Sequence, residues 1–206
     1  MLDFSLCVWC FQYRFVFLFD SEICSLRFGI ARKIVLRIID IEQYVFSGCK
    51  KLKYVAIPDS VKSIGFGAFS FCEMLDSISL PPSLITIQEY TFNSCSRLRS
   101  IFIPKNVSVI EKWAFRNCSH LQAIHISDIA AWCNIKMEEQ YSNPLFHAKH
   151  IYLDGNEIVD LVIPDGVKTI NEGAFYGCYN IKTLSLPNTL KYIKKQAFYG
   201  LYLDRP

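Results

Sequence analysis

Five cysteines sit in one recurring setting: Cys49, Cys72, Cys95, Cys118 and Cys178 each follow a phenylalanine by three residues. A thiol with a neighbouring base in an electropositive, accessible pocket would be a nucleophile. One active site, however, is not built from a nucleophile repeated five times. The repetition points to packing, where free cysteine behaves as a small hydrophobe. These residues are expected to form a core ladder. Coils about 5 Å apart would bring the thiols close enough that oxidation stays open. The other cysteines, Cys7, Cys10, Cys24 and Cys133, are scattered. Cys7-x-x-Cys10 has metal or redox spacing, but no second pair or following histidine completes it. His147 and His150 lie in the same irregular stretch as Cys133. A zinc site wants four ligands, and Asn143-Pro144 argues for a loop, so the histidines read as surface residues. No G-x-S-x-G, P-loop or G-x-G-x-x-G is present. Gly65-Phe66-Gly67 serves a backbone turn, and Glu138-Glu139 belongs to a polar run. No catalytic residue, metal ligand, cofactor or small-molecule substrate is assigned.

The elements that hold these residues repeat. "AFSFCEML" (68–75), "TFNSCSRL" (91–98) and "AFRNCSHL" (114–121) align at a spacing of 23. Phe46, Phe69, Phe92, Phe115, Phe175 and Phe198 keep the beat, with Pro58, Pro81, Pro104, Pro164 and Pro187. Ile41, Ile64, Ile87, Ile110, Ile170 and Ile193 each lie five residues before a Phe. Within a unit, Leu75, Ile78 and Leu80 carry a short strand with alternating inward residues. Pro81 ends it, because proline cannot donate to a ladder. Leu84 and Ile87 turn inward, and Thr91-Phe92-x-x-Cys95 forms a tight helical or turn segment opposite.

One unit alone buries about seven side chains at ~1.5–3 kcal/mol each. Ordering its backbone costs roughly 1–2 kcal/mol for every residue. A single unit cannot stand, so neighbours must stack on it, and the architecture is a solenoid.

Composition agrees. In 206 residues, 51% are hydrophobic and 20% charged, enough apolar material for a core and too much for a disordered chain. The net charge of +3 is mild and no long basic run occurs, which argues against nucleic acid as a partner. Nine cysteines is an odd count in a chain of this length, and disulfides are not needed to explain folding.

The units read L-x-x-I-x-L/I-P-x-x-V/L-x-x-I-x-x-x-A-F-x-x-C, which resembles the BspA-like leucine-rich repeat family over roughly residues 35 to 200. The resemblance implies an α/β leucine-rich-repeat solenoid, rich in β structure. Short parallel strands would line its concave face, with turns or short helical segments opposite. It also implies a bacterial surface or secreted protein, extracellular, with a part in adhesion or protein binding.

Three regions depart from the pattern. Phe115 to Phe175 is 60 residues, so 127–163 is a lengthened unit, either a divergent repeat or a dedicated binding loop. Asp154-Gly155 between apolar runs signals a hairpin, and "PLF" (144–146) is expected to replace the usual Ala-Phe. Residues 1–34 show no repeat; a cap, a degraded signal or anchor, and a mis-started frame all remain open. Membrane association is therefore undecided. In the array, 35–206, Leu201 stands where cysteine is expected, which suggests a fragment of a longer chain.

Alternation turns Tyr54, Ser77, Ser79, Ser100, Phe102, His125, Asp160 and Thr183 outward on the strand face. Small polar residues beside aromatic anchors suit close approach by a partner. These eight are the candidate binding residues of a monomeric, non-enzymatic module for a protein or glycan ligand. The alternative is a structural spacer within a larger protein.

Overall fold

The computed structural model describes residues 15–17 and 38–204. Cys7, Cys10, Cys24 and the expectations for 1–34, apart from the backbone of 15–17, lie outside the described residues. The protein is a β-solenoid of about seven turns. Each regular coil contributes a three-residue strand and, about nine residues on, a two-residue one. The first row contains β3 (Tyr54–Ala56), β5 (Ser77–Ser79), β7 (Ser100–Phe102) and β9 (Ala123–Ile126). The second contains β2 (Asp40–Ile41), β4 (Ser63–Ile64), β6 (Thr86–Ile87) and β8 (Val109–Ile110). Coils pair in parallel without slippage: Val55 faces Ile78, Ile101 faces Ile124 and Ile87 faces Ile110. A further strand, β1 (Phe15–Phe17), pairs in parallel with β3.

This register stacks identical residues into columns. Phe46, Phe69, Phe92 and Phe115 are buried, with successive ring centroids 5.1, 5.9 and 5.4 Å apart. Beside them run columns of Ile64, Ile87 and Ile110 and of Leu52, Leu75, Leu98 and Leu121, all within the core. Offset stacking adds about 0.5–1.5 kcal/mol for each aromatic pair beyond burial.

The bend around each phenylalanine has a fixed backbone. The residue two before it is left-handed in every regular coil: Tyr44 (φ 59°), Gly67 (58°), Tyr90 (58°), Trp113 (56°), Gly173 (66°) and Gln196 (55°). So is the residue two after: Gly48 (74°), Phe71 (59°), Ser94 (60°), Asn117 (60°), Gly177 (69°) and Gly200 (82°). The pair reverses the chain within five residues. Turn backbone then bonds to the next coil, as Phe69 N donates to Thr91 O at 3.0 Å and Phe92 N to Ala114 O at 2.9 Å.

The lengthened unit keeps the stack by substitution. It holds α1 (Ile129–Cys133), β10 (Lys136–Met137), a 3₁₀ turn (Gln140–Ser142) and α2 (Leu145–Ala148). Next come β11 (His150–Leu153) and β12 (Asn156–Glu157), an antiparallel hairpin about Asp154 and Gly155 as expected. β13 (Asp160–Val162), β14 (Thr169–Ile170), β15 (Thr183–Ser185) and β16 (Tyr192–Ile193) resume the regular spacing. β11 pairs with β9, Ile151 facing Ile124, an offset of 27 rather than 23.

The stretch "PLF" does replace Ala-Phe, with Leu145 at 0% exposure in the phenylalanine place and Phe146 stacked on Tyr176 at 6.1 Å as Tyr176 is on Tyr199. Phe115 N donates to Tyr141 O, 26 residues on where regular coils have 22, so this coil meets its predecessor four residues out of step. Asn143 at φ −77°, two residues before Leu145, lacks the left-handed backbone found at this place in the regular coils. Nor is 143–150 a loop, since α2 begins directly after Pro144, whose ring suits a helix start.

Candidate functional site

The cysteine ladder is structural. Cys72, Cys95 and Cys118 are fully buried, and each thiol donates to a phenylalanine carbonyl one coil back: Phe46 O at 3.1 Å, Phe69 O at 3.2 Å and Phe92 O at 3.1 Å. Burial pushes the Cys118 and Cys178 thiols up to about 12, and Cys95 well above its ordinary value. At neutral pH such groups hold their protons and are poor nucleophiles. Cys133, scattered in the sequence, also joins the core. Its carbonyl accepts from Asn171 N at 2.9 Å, as Ile87 O accepts from Glu111 N.

His147 and His150 have separate surroundings. His150 Nδ1 lies 2.6 Å from Glu157 Oε1, and Asn180 Nδ2 donates to the same oxygen at 2.7 Å. His147 Nε2 is buried without a hydrogen-bond partner, and burial followed by the nearby Lys149 charge lowers its pKa. The reading of both as plain surface histidines fails for His147. Among the described residues no group of three His, Cys, Asp or Glu side chains is placed to hold a metal.

The strand face places the eight candidates as follows. Tyr54 and Phe102 are 41% and 42% exposed, large rings left in solvent by the alternation. Ser77 and Ser79 on β5 are exposed beside them, with Tyr54 facing Ser77 in register. Ser100 is half-buried on β7. Farther along, Thr183 Oγ1 donates to Asp160 Oδ1 at 2.6 Å across β15 and β13. Phe102 faces His125 in register, and His125 faces Tyr152 on β11. The His125 and Tyr152 rings stack at 4.9 Å and 29°. Tyr152 was missed from sequence because it falls off the 23-residue beat; alternation from Ile151 within β11 was the signal that could have found it.

The turn edge carries a second feature. A cleft of about 400 Å³ is lined by Tyr44, Phe66, Phe71, Tyr90, Asn93 and Arg116, among others. Rings run along it, from Tyr44 to Phe66 (5.2 Å), Phe66 to Tyr90 (5.4 Å) and Tyr90 to Trp113 (5.1 Å). No helix of the described residues is long and apolar enough to cross a membrane.

A family model described as BspA type leucine rich repeat region matches in six copies over residues 32–136 and 149–205. Among solved structures, a leucine-rich repeat protein from T. pallidum is 27% identical, over 87% of this chain and 73% of that one, with a TM-score of 0.50. A leucine-rich cell surface protein from Faecalibacterium prausnitzii is 22% identical over 84% of this chain, with a TM-score of 0.45. A leucine-rich repeat protein from Eubacterium ventriosum is 20% identical over 82%, with a TM-score of 0.43. The matched part spans 32% and 36% of those two proteins. No curated protein matches the chain.

Proposed function

Because the chain belongs to the BspA-type leucine-rich repeat family, we propose that it is a non-catalytic recognition module which takes a protein ligand on its strand face at a cell surface. One observation carries this reading: Phe102, His125 and Tyr152 form an in-register file of rings on the outer side of three adjacent strands. Such rings have no packing duty inward, where Ile101, Ile124 and Ile151 fill the core. Aromatic side chains supply large contact area at low entropic cost and dominate interface energetics. The small Ser77, Ser79 and Ser100 beside them let a partner's backbone come close. The buried, protonated thiols support a role without nucleophilic chemistry.

The test is a panel of purified extracellular proteins, probed by surface-immobilised binding with the wild type and a Phe102→Ala/Tyr152→Ala variant. A ligand that binds the wild type and loses about tenfold or more in affinity for the variant supports the reading. Equal binding by both removes the strand face as the site. No binding across the panel favours the structural spacer.

A further inference from the structure

The turn-edge cleft contains strain that the fold does not require. Tyr44, Tyr90 and Trp113 adopt left-handed backbone where Gly67 and Gly173 serve equally well in other coils. Phe71 does so where Gly48, Gly177 and Gly200 stand. A bulky residue in that region is strained, and such outliers collect at ligand clamps. All four aromatic exceptions gather along the cleft: Tyr44, Phe71 and Tyr90 line it, and Trp113 stacks on Tyr90 at 5.1 Å.

Its polar groups are equally ordered. Asn93 Nδ2 donates to Ser70 Oγ at 3.2 Å, and Asn117 Nδ2 to Ser94 Oγ at 3.3 Å, so successive coils present amides and hydroxyls. Arg116 is the one ionised residue of the lining. Its guanidinium lies 5.9 Å from the Trp113 ring centroid, and among the described residues no carboxylate pairs with it. A guanidinium held over an indole and left without an anion is ready for a planar, bidentate acceptor.

We propose that this cleft binds an acidic sugar chain, one whose rings stack on the aromatic run and whose carboxylate meets Arg116. Pyranose rings offer apolar C–H faces to aromatic side chains, while their hydroxyls suit the alternating amides and hydroxyls. Mixed aromatic and convergent polar lining is the usual make-up of a ligand site. The occupant is anionic because the only formal charge in the lining is positive.

The probe is a hyaluronan octasaccharide, alternating glucuronate with N-acetylglucosamine, compared with the same chain after its carboxylates are reduced to alcohols. Binding to the full chain is followed by calorimetry. Saturable binding of the acidic form is expected, about tenfold weaker for the reduced form and for Arg116→Gln. Trp113→Gly, which puts glycine where two other coils already carry it, should weaken binding as much without lowering the melting temperature. Absence of saturable binding overturns the proposal, and so does binding indifferent to the carboxylates or to both substitutions. Phe102→Ala/Tyr152→Ala leaves this binding unchanged, so failure here is separable from failure at the strand face.

Discussion

Trp132 Nε1 donates a 2.6 Å hydrogen bond to the carbonyl of Ala174, 42 residues away. In regular coils that carbonyl accepts from the amide at the preceding phenylalanine position, as Ala114 O does from Phe92 N. Leu145 occupies that position in the lengthened unit, and its amide donates to Asn143 Oδ1 at 2.9 Å instead. The indole therefore satisfies an acceptor that the insertion would otherwise strand in the core. Trp132→Phe should cost about 1–3 kcal/mol for the orphaned carbonyl, and more for the lost ring volume. Urea unfolding of the variant, followed by circular dichroism, measures it. An unchanged midpoint would show that the bond contributes nothing net.

How much of this was legible beforehand follows from what repeats. The Phe, Ile, Leu and Cys columns were readable because a strict period leaves each side chain the same neighbour. Alternation in the first strand row was readable for the same reason. The substitutions inside 127–163 were not. An isolated tryptophan such as Trp132 has no counterpart one period away, and within "PLF" it is Leu145, not the more conspicuous Phe146, that fills the phenylalanine place. The left-handed turns were hidden too, since Tyr90 and Trp113 are residues nobody would choose for positive φ.

The cysteine ladder predicts silence toward thiol reagents. In native protein, Ellman's reagent should leave Cys72, Cys95, Cys118 and Cys178 unmodified, and all should react once the chain is unfolded in guanidinium. Cys118→Ala should cost about 1–2 kcal/mol, since it opens a small void between Cys95 and the next coil. Rapid native labelling at these positions would contradict their burial.

His147 predicts how stability changes in mild acid. Its folded pKa lies below the ordinary 6.5, so the unfolded chain binds the proton more readily. Its contribution is complete above about 6.5 and is lost as pH falls toward the folded value. Burial disfavours the added charge, and Lys149 opposes it further. Glu157, held low by His150, loses its contribution only as pH falls below about 4.5, outside this window. The urea midpoint should therefore drop between about pH 7.5 and pH 5.5, and drop less in His147→Leu. Equal drops in both proteins would remove His147 as the cause.

Gly65 and Gly48 make a matched pair with opposite outcomes. A Cβ on Gly65 would lie 2.5 Å from Gln43 N and 2.7 Å from Glu42 C, both backbone atoms of the previous coil. Neither can move without breaking the strand pairing at Ile41 and Ile64. At Gly48 (φ 74°) a Cβ meets nothing within 4 Å, so Gly48→Ala carries only the left-handed penalty of about 1–2 kcal/mol. Gly65→Ala should exceed that and separate the first coils, seen as faster hydrogen exchange at Gly65. A milder effect at Gly65 than at Gly48 would contradict the close approach.

Phe71→Gly tests whether the aromatic turns are strained. Phe71 is 50% exposed, so its ring contributes about half of the ~1.5–3 kcal/mol a buried phenylalanine gives. Removing it from φ 59° returns about 1–2 kcal/mol, partly offset by the roughly 0.5–1 kcal/mol of extra unfolded-state entropy that glycine brings. These terms nearly cancel, and the midpoint should move by no more than about 1 kcal/mol. Phe69→Gly, two residues earlier at 0% exposure and stacked on Phe46 and Phe92, should cost at least the ~3–5 kcal/mol of a core phenylalanine-to-alanine change. Comparable losses at the two positions would mean that Phe71 holds the turn together, and that its left-handed backbone is no burden to the fold.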